Sequence, residues 1–309
     1  MQKYAIMNFD KENGLSKVLE GLFKPYLERV PDVNKITAAM VSNGLIASQH
    51  DIVNDHIAFR TLGVPNLGIN SFEKIFLHYG YTKEDYFFFE GKKLDAYWYA
   101  PPSPEYPRIF ISELRVKDLS KKVQDVILKY TKNITVDPVD TLDLNNAEEV
   151  GDFFYKSLWE LPSLEDYQTL LAESEYASWV IYNRYYLNHY TISVHELPEA
   201  YNTVAKFNTF LESIGIRLNT AGGKIKTSAD GLLKQSSTVA EMIDAEFSNN
   251  KKSKISGSYV EFAERLPLPE FASIESAKLT RKQRREGFES ANADKIFEST
   301  FSSQTKKEG

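Results

Sequence analysis

The sequence predicts an α+β fold in which two βαβββ-like modules pair into a β-barrel around a metal, with helices surrounding the sheet. One observation behind this prediction is the order strand, helix and further strands, which occurs over residues 56–116 and again, more loosely, over residues 189–263. The other is that each module opens with a strand carrying a histidine, His56 in the first and His189 in the second. Paired modules of this kind can close into a barrel-like sheet around a metal.

The first module is preceded by two predicted helices and followed by a mostly helical stretch. Apolar residues at helical spacing predict the helices, and short β-branched and aromatic segments predict the strands. In chain order the predicted elements are helices over 15–30 and 33–47, a strand over 56–62, a helix over 71–78, strands over 86–89, 94–99 and 108–116, and mostly helix over 118–180. The second module is predicted to contain a strand over 189–194, a helix over 200–214, and strands over 225–227, 232–238 and 258–263.

The composition is that of a globular protein with a sizeable core. Of the 309 residues, 42% are hydrophobic and 13% aromatic, which argues against disorder. The 37 basic and 43 acidic residues give a formal charge of −6, so bulk attraction to nucleic acid or to an anionic membrane is not expected. There is no cysteine, so any metal must be held by nitrogen and oxygen ligands.

The chain is expected to be a soluble cytoplasmic protein. Residues 1–5 lack the apolar run of a signal peptide. No stretch approaches the roughly 20 apolar residues needed to span a bilayer. After the second module comes a basic run, which we interpret as a solvated helix face rather than a nucleic-acid contact because the chain is acidic overall. The run consists of Lys278, Arg281, Lys282, Arg284 and Arg285.

His56 and Arg60 are predicted to project side by side. On a strand, positions 56, 58 and 60 share one face, and the small side chain of Ala58 leaves room between the other two. A neutral imidazole can bind a divalent cation, and a guanidinium beside it can bind a carboxylate through two parallel hydrogen bonds. The pattern alone is equally consistent with a histidine and an arginine at a solvated sheet edge.

A second histidine and a carboxylate complete the candidate metal site. His189 shares a polar strand face with Thr191 and Ser193, which suits either a strand that lines a site or a solvated outer face. Glu261 lies in the middle of an aromatic and β-branched strand, where burial of an uncompensated carboxylate is costly. A metal would offset that cost, and a pair with a buried arginine is the alternative. Two histidines and one carboxylate form the facial triad of non-haem Fe(II) oxygenases.

The other three histidines are assigned no catalytic role. His50 lies in a polar stretch and is expected to be exposed. His78 lies near a predicted helix C-terminus, where a partly charged imidazole suits the helix dipole. His195 lies at a predicted strand end beside Glu196, but it is only six residues from His189 and could face the same way.

Four segments taken together resemble the 2-oxoadipate dioxygenase/decarboxylase family. They begin at Asp55, Asn188, Gly231 and Tyr259 and read DHIAFRT, NHYT, GLLKQSST and YVEFAER. The resemblance extends over about residues 15–301, and the ordered set is far more specific than any single motif.

The resemblance implies a fold related to the vicinal-oxygen-chelate enzymes and an Fe(II) cofactor. It implies that His56, His189 and Glu261 hold the iron and that Arg60, as a catalytic residue, binds a substrate carboxylate. Residues 290–299 resemble the family's closing segment, which helps to form the substrate pocket. The further substrate-binding residues expected on this basis are Gln235, Ser237, Ala291 and Asn292.

The resemblance also implies a domain organisation. We expect one catalytic domain over residues 1–309, with the first β module and its N-terminal and inserted helices in residues 1–180. The second β module would occupy residues 181–272, and residues 273–309 would close the pocket. Larger members of the family carry a longer C-terminal region, so this chain resembles a compact variant.

The reaction implied is 2-oxoadipate + O2 → 2-hydroxyglutarate + CO2, a step in lysine catabolism. The 2-oxo acid would chelate Fe(II) and be both decarboxylated and hydroxylated, so no external 2-oxoglutarate is needed. The expected partners are a small 2-oxo dicarboxylic acid and O2, with no nucleic acid and no membrane. Three alternatives remain open: a non-oxidative metal-dependent isomerase or lyase on the same scaffold, a non-catalytic small-molecule-binding protein, and a basic-tailed RNA binder. The exact 2-oxo acid and the oligomeric state also remain open.

Overall fold

The structure is a computed structural model that describes residues 14–306. The helices within these residues are α1 (Gly14–Arg29), α2 (Pro31–Ser42), α3 (Ile69–His78), α4 (Lys121–Thr131), α5 (Ala147–Phe153), α6 (Leu164–Glu173), α7 (Glu175–Asn183), α8 (Val204–Ser213), α9 (Ser290–Phe297) and α10 (Ser302–Thr305). The strands are β1 (Asn54–Leu62), β2 (Thr82–Phe89), β3 (Leu94–Ala100), β4 (Arg108–Leu114), β5 (His189–Ser193), β6 (Lys226–Thr227), β7 (Leu233–Ser237), β8 (Met242–Glu246), β9 (Lys252–Ser256) and β10 (Tyr259–Arg265). None of the described helices is long and apolar enough to cross a membrane.

One curled, half-barrel sheet contains eight of the described strands, in the order β2-β3-β4-β1-β5-β10-β7-β6. In each half, the strand that carries a predicted histidine ligand pairs in parallel with the last strand of its module, β1 with β4 and β5 with β10. The remaining neighbours are antiparallel, and β1 meets β5 antiparallel at the centre. With α3 after β1 and α8 after β5, both halves are βαβββ units, and the predicted fold class is confirmed.

Helix α9, in the C-terminal segment, completes the enclosure of the sheet. It contacts the two edge strands β2 and β6, and also β7. It therefore bridges the gap between the two edges of the half-barrel and covers the inner face. The division of the chain at residues 180 and 272 stays a prediction, and residues 1–13 and 307–309 of the predicted domain lie outside the described residues.

The two faces of β1 have different environments, which places the site on one side of the sheet. Phe59 points into an aromatic core under α3, where its ring centroid lies 4.8 Å from that of Phe72. His56 and Arg60 alternate with Phe59 and point to the covered inner face. There the His56 ring lies 4.8 Å from the ring of Phe288, which belongs to the C-terminal segment.

The structure differs from the prediction at the end of one helix and at one hairpin. Helix α2 ends at Ser42 and not near residue 47, because the chain turns through a left-handed conformation at Gly44 (φ 70°) and the Leu45 amide donates back to the Met40 carbonyl oxygen at 2.9 Å. The hairpin of β8 and β9 was not predicted, since only Ala245 and Ile255 of its strands are buried and the hydrophobic alternation is weak.

The interpretation of the basic run as a solvated helix face is wrong for the helix and for Arg284, whereas Lys278 and Lys282 are exposed. Instead of a helix, the run contains the short 3₁₀ turns Ser276–Lys278 and Arg281–Gln283. Arg284 is buried and donates to the Arg265 carbonyl oxygen at 2.9 Å. The physical reason is that the carbonyl oxygen of Arg265 in β10 and the carbonyl and hydroxyl oxygens of Ser276 accept hydrogen bonds from this guanidinium inside the fold.

Candidate metal centre and substrate cavity

Three neighbouring strands present the predicted ligands on one face of the sheet. In one row across β1, β5 and β10, His56 and Glu261 flank Thr191. In the next row, His189 pairs with Tyr259. Because alternate residues of a strand share a face, two ligands from the outer strands and one from the central strand converge at a single point.

The ligand atoms lie at distances that suit a metal. The Nε2 atom of His189 is 3.0 Å from Oε2 of Glu261 and 3.4 Å from Nε2 of His56, and the His56 nitrogen is 3.5 Å from the same carboxylate oxygen. Ligands about 2.1 Å from a metal at right-angled to tetrahedral spacing are about 3.0–3.4 Å apart. Within residues 14–306 no second group of histidine, aspartate and glutamate comes together in this way. The buried group can therefore hold a metal ion.

Hydrogen bonds fix the orientation of both imidazoles. The Nδ1 of His56 lies 2.8 Å from Oδ1 of Asp55, and the Nδ1 of His189 lies 3.1 Å from Oδ1 of Asn188. Carboxylate and amide oxygens are acceptors, so each Nδ1 is the donor and each Nε2 keeps its lone pair. Histidine ligands of metals are supported by partners of this kind.

The carboxylate of Glu261 is held from the side of β7 and α9. Its Oε1 accepts a hydrogen bond from Nε2 of Gln235 at 2.6 Å, and the Gln235 side-chain oxygen accepts one from Nδ2 of Asn292 at 2.9 Å. This chain leaves Oε2 of Glu261 directed at the two imidazoles. Gln235 lines the cavity described below, whereas Asn292 is buried and supports Gln235.

Asp55 connects His56 to a buried ion-pair network. Its carboxylate accepts hydrogen bonds from Arg265 at 2.6 and 2.9 Å and from Arg108 at 3.1 Å. Arg108 also pairs with Glu286. Burial alone would raise the pKa of Asp55, but the two guanidinium groups hold it well below its usual value. The residue behind His56 is therefore a permanent anion.

The charge states of Glu261 and His189 are those that metal binding requires, whereas a metal must displace a proton from His56. Burial alone would raise the pKa of Glu261, but the two neighbouring imidazoles lower it to about 2. Burial lowers the pKa of His189, so this imidazole is neutral near pH 7. Burial also opposes protonation of His56, but the adjacent Glu261 and Asp55 outweigh it and raise the pKa of this imidazole in the metal-free protein.

A cavity lies against the three ligands and contains the guanidinium of Arg60. Arg60 is 1% exposed and donates to the Thr300 hydroxyl at 2.9 Å and to the Phe297 carbonyl oxygen at 3.1 Å. The rings of Tyr176 and Trp179 lie 5.1 Å from its central carbon. In the part of the chain that the structure describes, no carboxylate forms an ion pair with it and its Nε has no hydrogen-bond partner.

Besides Asn292, two predicted substrate-binding residues do not line the cavity. Ser237 is buried and shares a hydrogen bond with the hydroxyl of Ser299 at 2.8 Å, so its side chain holds β7 to the C-terminal segment. Ala291 is exposed, because α9 turns residue 293, and not residue 291, toward the interior. Ala293 and Ile296 line the cavity from this helix.

The structure also places the histidines that were assigned no catalytic role. His50 and His78 are exposed. The ring of His195 is directed at the end of β10, where its Nδ1 accepts a hydrogen bond from the backbone amide of Arg265 at 3.2 Å. It is absent from the group of potential metal ligands among residues 14–306.

Four residues of the site were not singled out from the sequence, although signals for three of them were present. Asp55 and Asn188 each directly precede a predicted histidine ligand and carry a side-chain oxygen. Tyr259 lies two positions before Glu261 and so shares its strand face. Phe288 had no such signal, because its contact with the site depends on how the C-terminal segment crosses the sheet.

Comparisons with proteins of known sequence identify the family of this chain. The family model for 2-oxoadipate dioxygenase/decarboxylase matches residues 18–276. A chloroplastic 2-oxoadipate dioxygenase/decarboxylase of Arabidopsis thaliana is 41% identical over 304 residues, which cover 95% of this chain and 79% of that protein. A chloroplastic/amyloplastic protein of the same name from Oryza sativa subsp. japonica is 41% identical over 297 residues, covering 93% of this chain and 79% of that protein.

Solved structures show the same relationship. A crystal structure of the hydroxyglutarate synthase in complex with 2-oxoadipate from Oryza sativa matches with a TM-score of 0.85 at 38% identity, covering 98% of each chain. A putative glyoxalase superfamily protein from Ralstonia eutropha JMP134, at 20% identity, shares the fold with a TM-score of 0.68 over 92% of this chain and 90% of that one. The chain therefore belongs to the 2-oxoadipate dioxygenase/decarboxylase family.

Proposed function

We propose that this protein is an Fe(II)-dependent dioxygenase and decarboxylase that converts 2-oxoadipate and O2 into 2-hydroxyglutarate and CO2. The observation that carries the proposal is that one cavity contains both the His56, His189 and Glu261 group and the guanidinium of Arg60, which no carboxylate of residues 14–306 pairs with. The names of the plant relatives and the 2-oxoadipate in the rice protein support the same substrate. The role in lysine catabolism is part of this proposal, while the cytoplasmic localisation stays a prediction.

His56, His189 and Glu261 are the residues that would hold the metal. Two imidazole nitrogens and one carboxylate oxygen, with no thiolate in the chain, suit Fe(II) in an open facial site. Bound there, iron would supply the redox chemistry that allows O2 to react with a 2-oxo acid. Asp55, Asn188 and Gln235 keep the three ligands oriented toward one point.

Arg60 would bind the distal carboxylate of the substrate. It lies on the same face of β1 as His56, with Ala58 between them, so a linear dicarboxylate with its 2-oxo acid end at the ligand group would extend toward it. Its aromatic surroundings exclude water, which strengthens an ion pair with a carboxylate. The bidentate fork of a guanidinium also fixes the direction of the chain, and fixed orientation lowers the barrier of the reaction.

The C-terminal segment would exclude bulk water from the reacting atoms. Phe288 lies edge-on to His56 at 4.8 Å and 5.0 Å from the ring of Phe110, and Phe297 covers Arg60 from α9. These rings form the apolar side of a cavity whose other side carries the polar groups. Exclusion of water limits side reactions of the substrate during turnover.

Oxygen uptake by the purified, Fe(II)-loaded protein tests this function. With a panel of 2-oxo acids, 2-oxoadipate should give the fastest uptake, and 2-hydroxyglutarate should accumulate with it. His56→Ala is the matched negative control, because it removes one ligand and leaves Arg60 in place. Product formation from 2-oxoadipate without O2, sustained by Mn(II), Co(II) or Zn(II), would instead identify a non-oxidative isomerase or lyase.

A further inference from the structure

The hydroxyl group of Tyr259 is a buried polar group without a hydrogen-bond partner within residues 14–306. Tyr259 is 1% exposed and lines the cavity together with Arg60 and His189. Its polar neighbours are Arg60 and Ser299. The Ser299 hydroxyl is already used, since it accepts from Asn219 at 2.9 Å and shares a hydrogen bond with Ser237 at 2.8 Å. Buried hydroxyl groups usually form a hydrogen bond, and a bound ligand would supply the partner that this one lacks.

The ring of Tyr259 is held in place at the cavity by two contacts. It stacks on the imidazole of His189 with centroids 4.6 Å apart and an interplanar angle of 29°. Its backbone carbonyl oxygen accepts a hydrogen bond from the hydroxyl of Tyr26, which fixes the start of β10. The face of the Tyr259 ring thus packs against His189, and the hydroxyl group lies at the edge of the ring.

The position of Tyr259 along the sheet indicates which part of a substrate it can reach. His56 and Glu261 lie in one cross-strand row, His189 and Tyr259 lie in the next, and Arg60 lies beyond on the same side. A chain that runs from the ligand group to Arg60 therefore passes the row that contains Tyr259 before it ends. The tyrosine hydroxyl and the guanidinium are both donors, and donors placed together suit a carboxylate.

We propose that the hydroxyl of Tyr259 donates a hydrogen bond to the distal carboxylate that Arg60 binds, so that the two residues together select dicarboxylic 2-oxo acids. This proposal rests on the proposed function, because the proposed function supplies the substrate class, dicarboxylic 2-oxo acids. Tyr259 is then a substrate-binding residue as well as a support for His189. Neither the sequence motif nor the metal group assigns that role to it.

Anaerobic calorimetry with the Fe(II)-loaded protein separates the two roles, because binding is measured without turnover. Tyr259→Phe removes only the hydroxyl and keeps the stacked ring. The variant should bind 2-oxoadipate about 10- to 100-fold more weakly than the wild type, as expected for the loss of a hydrogen bond to a charged group. Its affinity for 2-oxohexanoate, which has the same length and no distal carboxylate, should stay within about twofold of the wild type, since no such bond is lost.

Tyr190→Phe is the matched control. The hydroxyl of Tyr190 is likewise buried and without a partner among the described residues, but its ring packs against Phe23 and Tyr26 on the opposite side of β5. This variant should bind both acids like the wild type.

Unchanged 2-oxoadipate affinity in Tyr259→Phe, or an equal loss with both acids, would overturn the inference. Oxygen uptake by the wild type with an unchanged Tyr259→Phe affinity would leave the proposed function standing and remove this role for Tyr259. Selective weakening in Tyr259→Phe without any oxygen uptake by the wild type would support the role of Tyr259 and remove the proposed function.

Discussion

The Nε2 atom of His189 lies 3.0 Å from Oε2 of Glu261, and both side chains are buried. The Nδ1 of His189 is directed at an acceptor, the side-chain oxygen of Asn188. The unprotonated Nε2 of His189 thus faces the Glu261 carboxylate, and the Nε2 of His56 lies 3.4 Å from the His189 nitrogen. Lone pairs that converge in a buried site are stabilised by a cation between them.

Removal of one ligand should remove the metal. We expect about one divalent ion per wild-type chain, as for a mononuclear facial triad, and almost none in His189→Ala, with loss of turnover. Thermal unfolding of the variant should remain cooperative, because the imidazole is replaced at the edge of a cavity. Elemental analysis of the purified proteins and oxygen uptake provide the two readouts.

His195→Ala is the control for this assignment. His195 is the histidine nearest to His189 along the chain, but its Nδ1 accepts a backbone hydrogen bond from Arg265 and its ring is outside the ligand group. The variant should keep its metal and its activity. Metal lost from His195→Ala and retained by His189→Ala would show that the wrong histidine had been assigned.

Asp55 should contribute to metal affinity without touching the metal. Asp55→Asn removes the negative charge behind His56 and weakens the hydrogen bond to its Nδ1. We expect metal affinity to fall by about 10- to 100-fold, the usual effect of losing a partner of a ligating histidine. Competition with a chelator measures the metal affinity. The control is Asp118→Asn, which changes a surface carboxylate paired with Arg115 and should have no effect. An unchanged affinity in Asp55→Asn would contradict this role.

The metal-free protein should lose stability in acid through Glu261. Burial raises the pKa of Glu261, but the two imidazoles outweigh it and lower the pKa from 4.5 to about 2. A carboxylate whose pKa is lower in the folded state stabilises the fold above its unfolded pKa, and this contribution is lost as the pH falls through the folded pKa. Between pH 4.5 and about 2 the free energy of unfolding should therefore fall more steeply for the wild type than for Glu261→Gln. Urea unfolding at a series of pH values tests this, and parallel curves would refute it.

Arg60→Lys should lose most of its activity and keep its metal. A lysine keeps the positive charge but offers a point charge instead of a planar fork, so it cannot bind a carboxylate in the bidentate geometry. If Arg60 binds the distal carboxylate, the loss should be large with 2-oxoadipate and smaller with 2-oxohexanoate. Equal losses would place Arg60 on the carboxylate next to the keto group. Full turnover of subsaturating 2-oxoadipate by Arg60→Ala would remove Arg60 from the site.

Local patterns predicted the parts of the fold that depend on neighbouring residues. The alternation around His56 and Arg60 identified β1 and placed both side chains on one face, and the repeated element order identified the two modules. The choice of Glu261 among many carboxylates depended on its apolar strand and on the family resemblance. These signals lie within a few positions of each residue, which is the range at which periodicity is informative.

Contacts between distant segments could not be predicted. Asp55 and Arg265 are 210 positions apart, and their ion pair exists because the start of β1 and the end of β10 lie at the same edge of the sheet. The exposure of Ala291 could not be predicted for a similar reason, since the face that α9 turns to the cavity depends on where the helix begins. Arg284 was expected in solvent because the sequence of a basic run does not show which carbonyl groups will surround its side chains.

The most direct test of the proposed reaction is the stoichiometry and isotope content of the product under labelled O2. The Fe(II)-loaded protein should consume equal amounts of 2-oxoadipate and O2 and form equal amounts of CO2 and 2-hydroxyglutarate. One labelled oxygen atom should enter the new carboxylate, and the other should enter the hydroxyl group. Unlabelled 2-hydroxyglutarate, or any product formed at the same rate under argon, would contradict a dioxygenase reaction at the His56, His189 and Glu261 site.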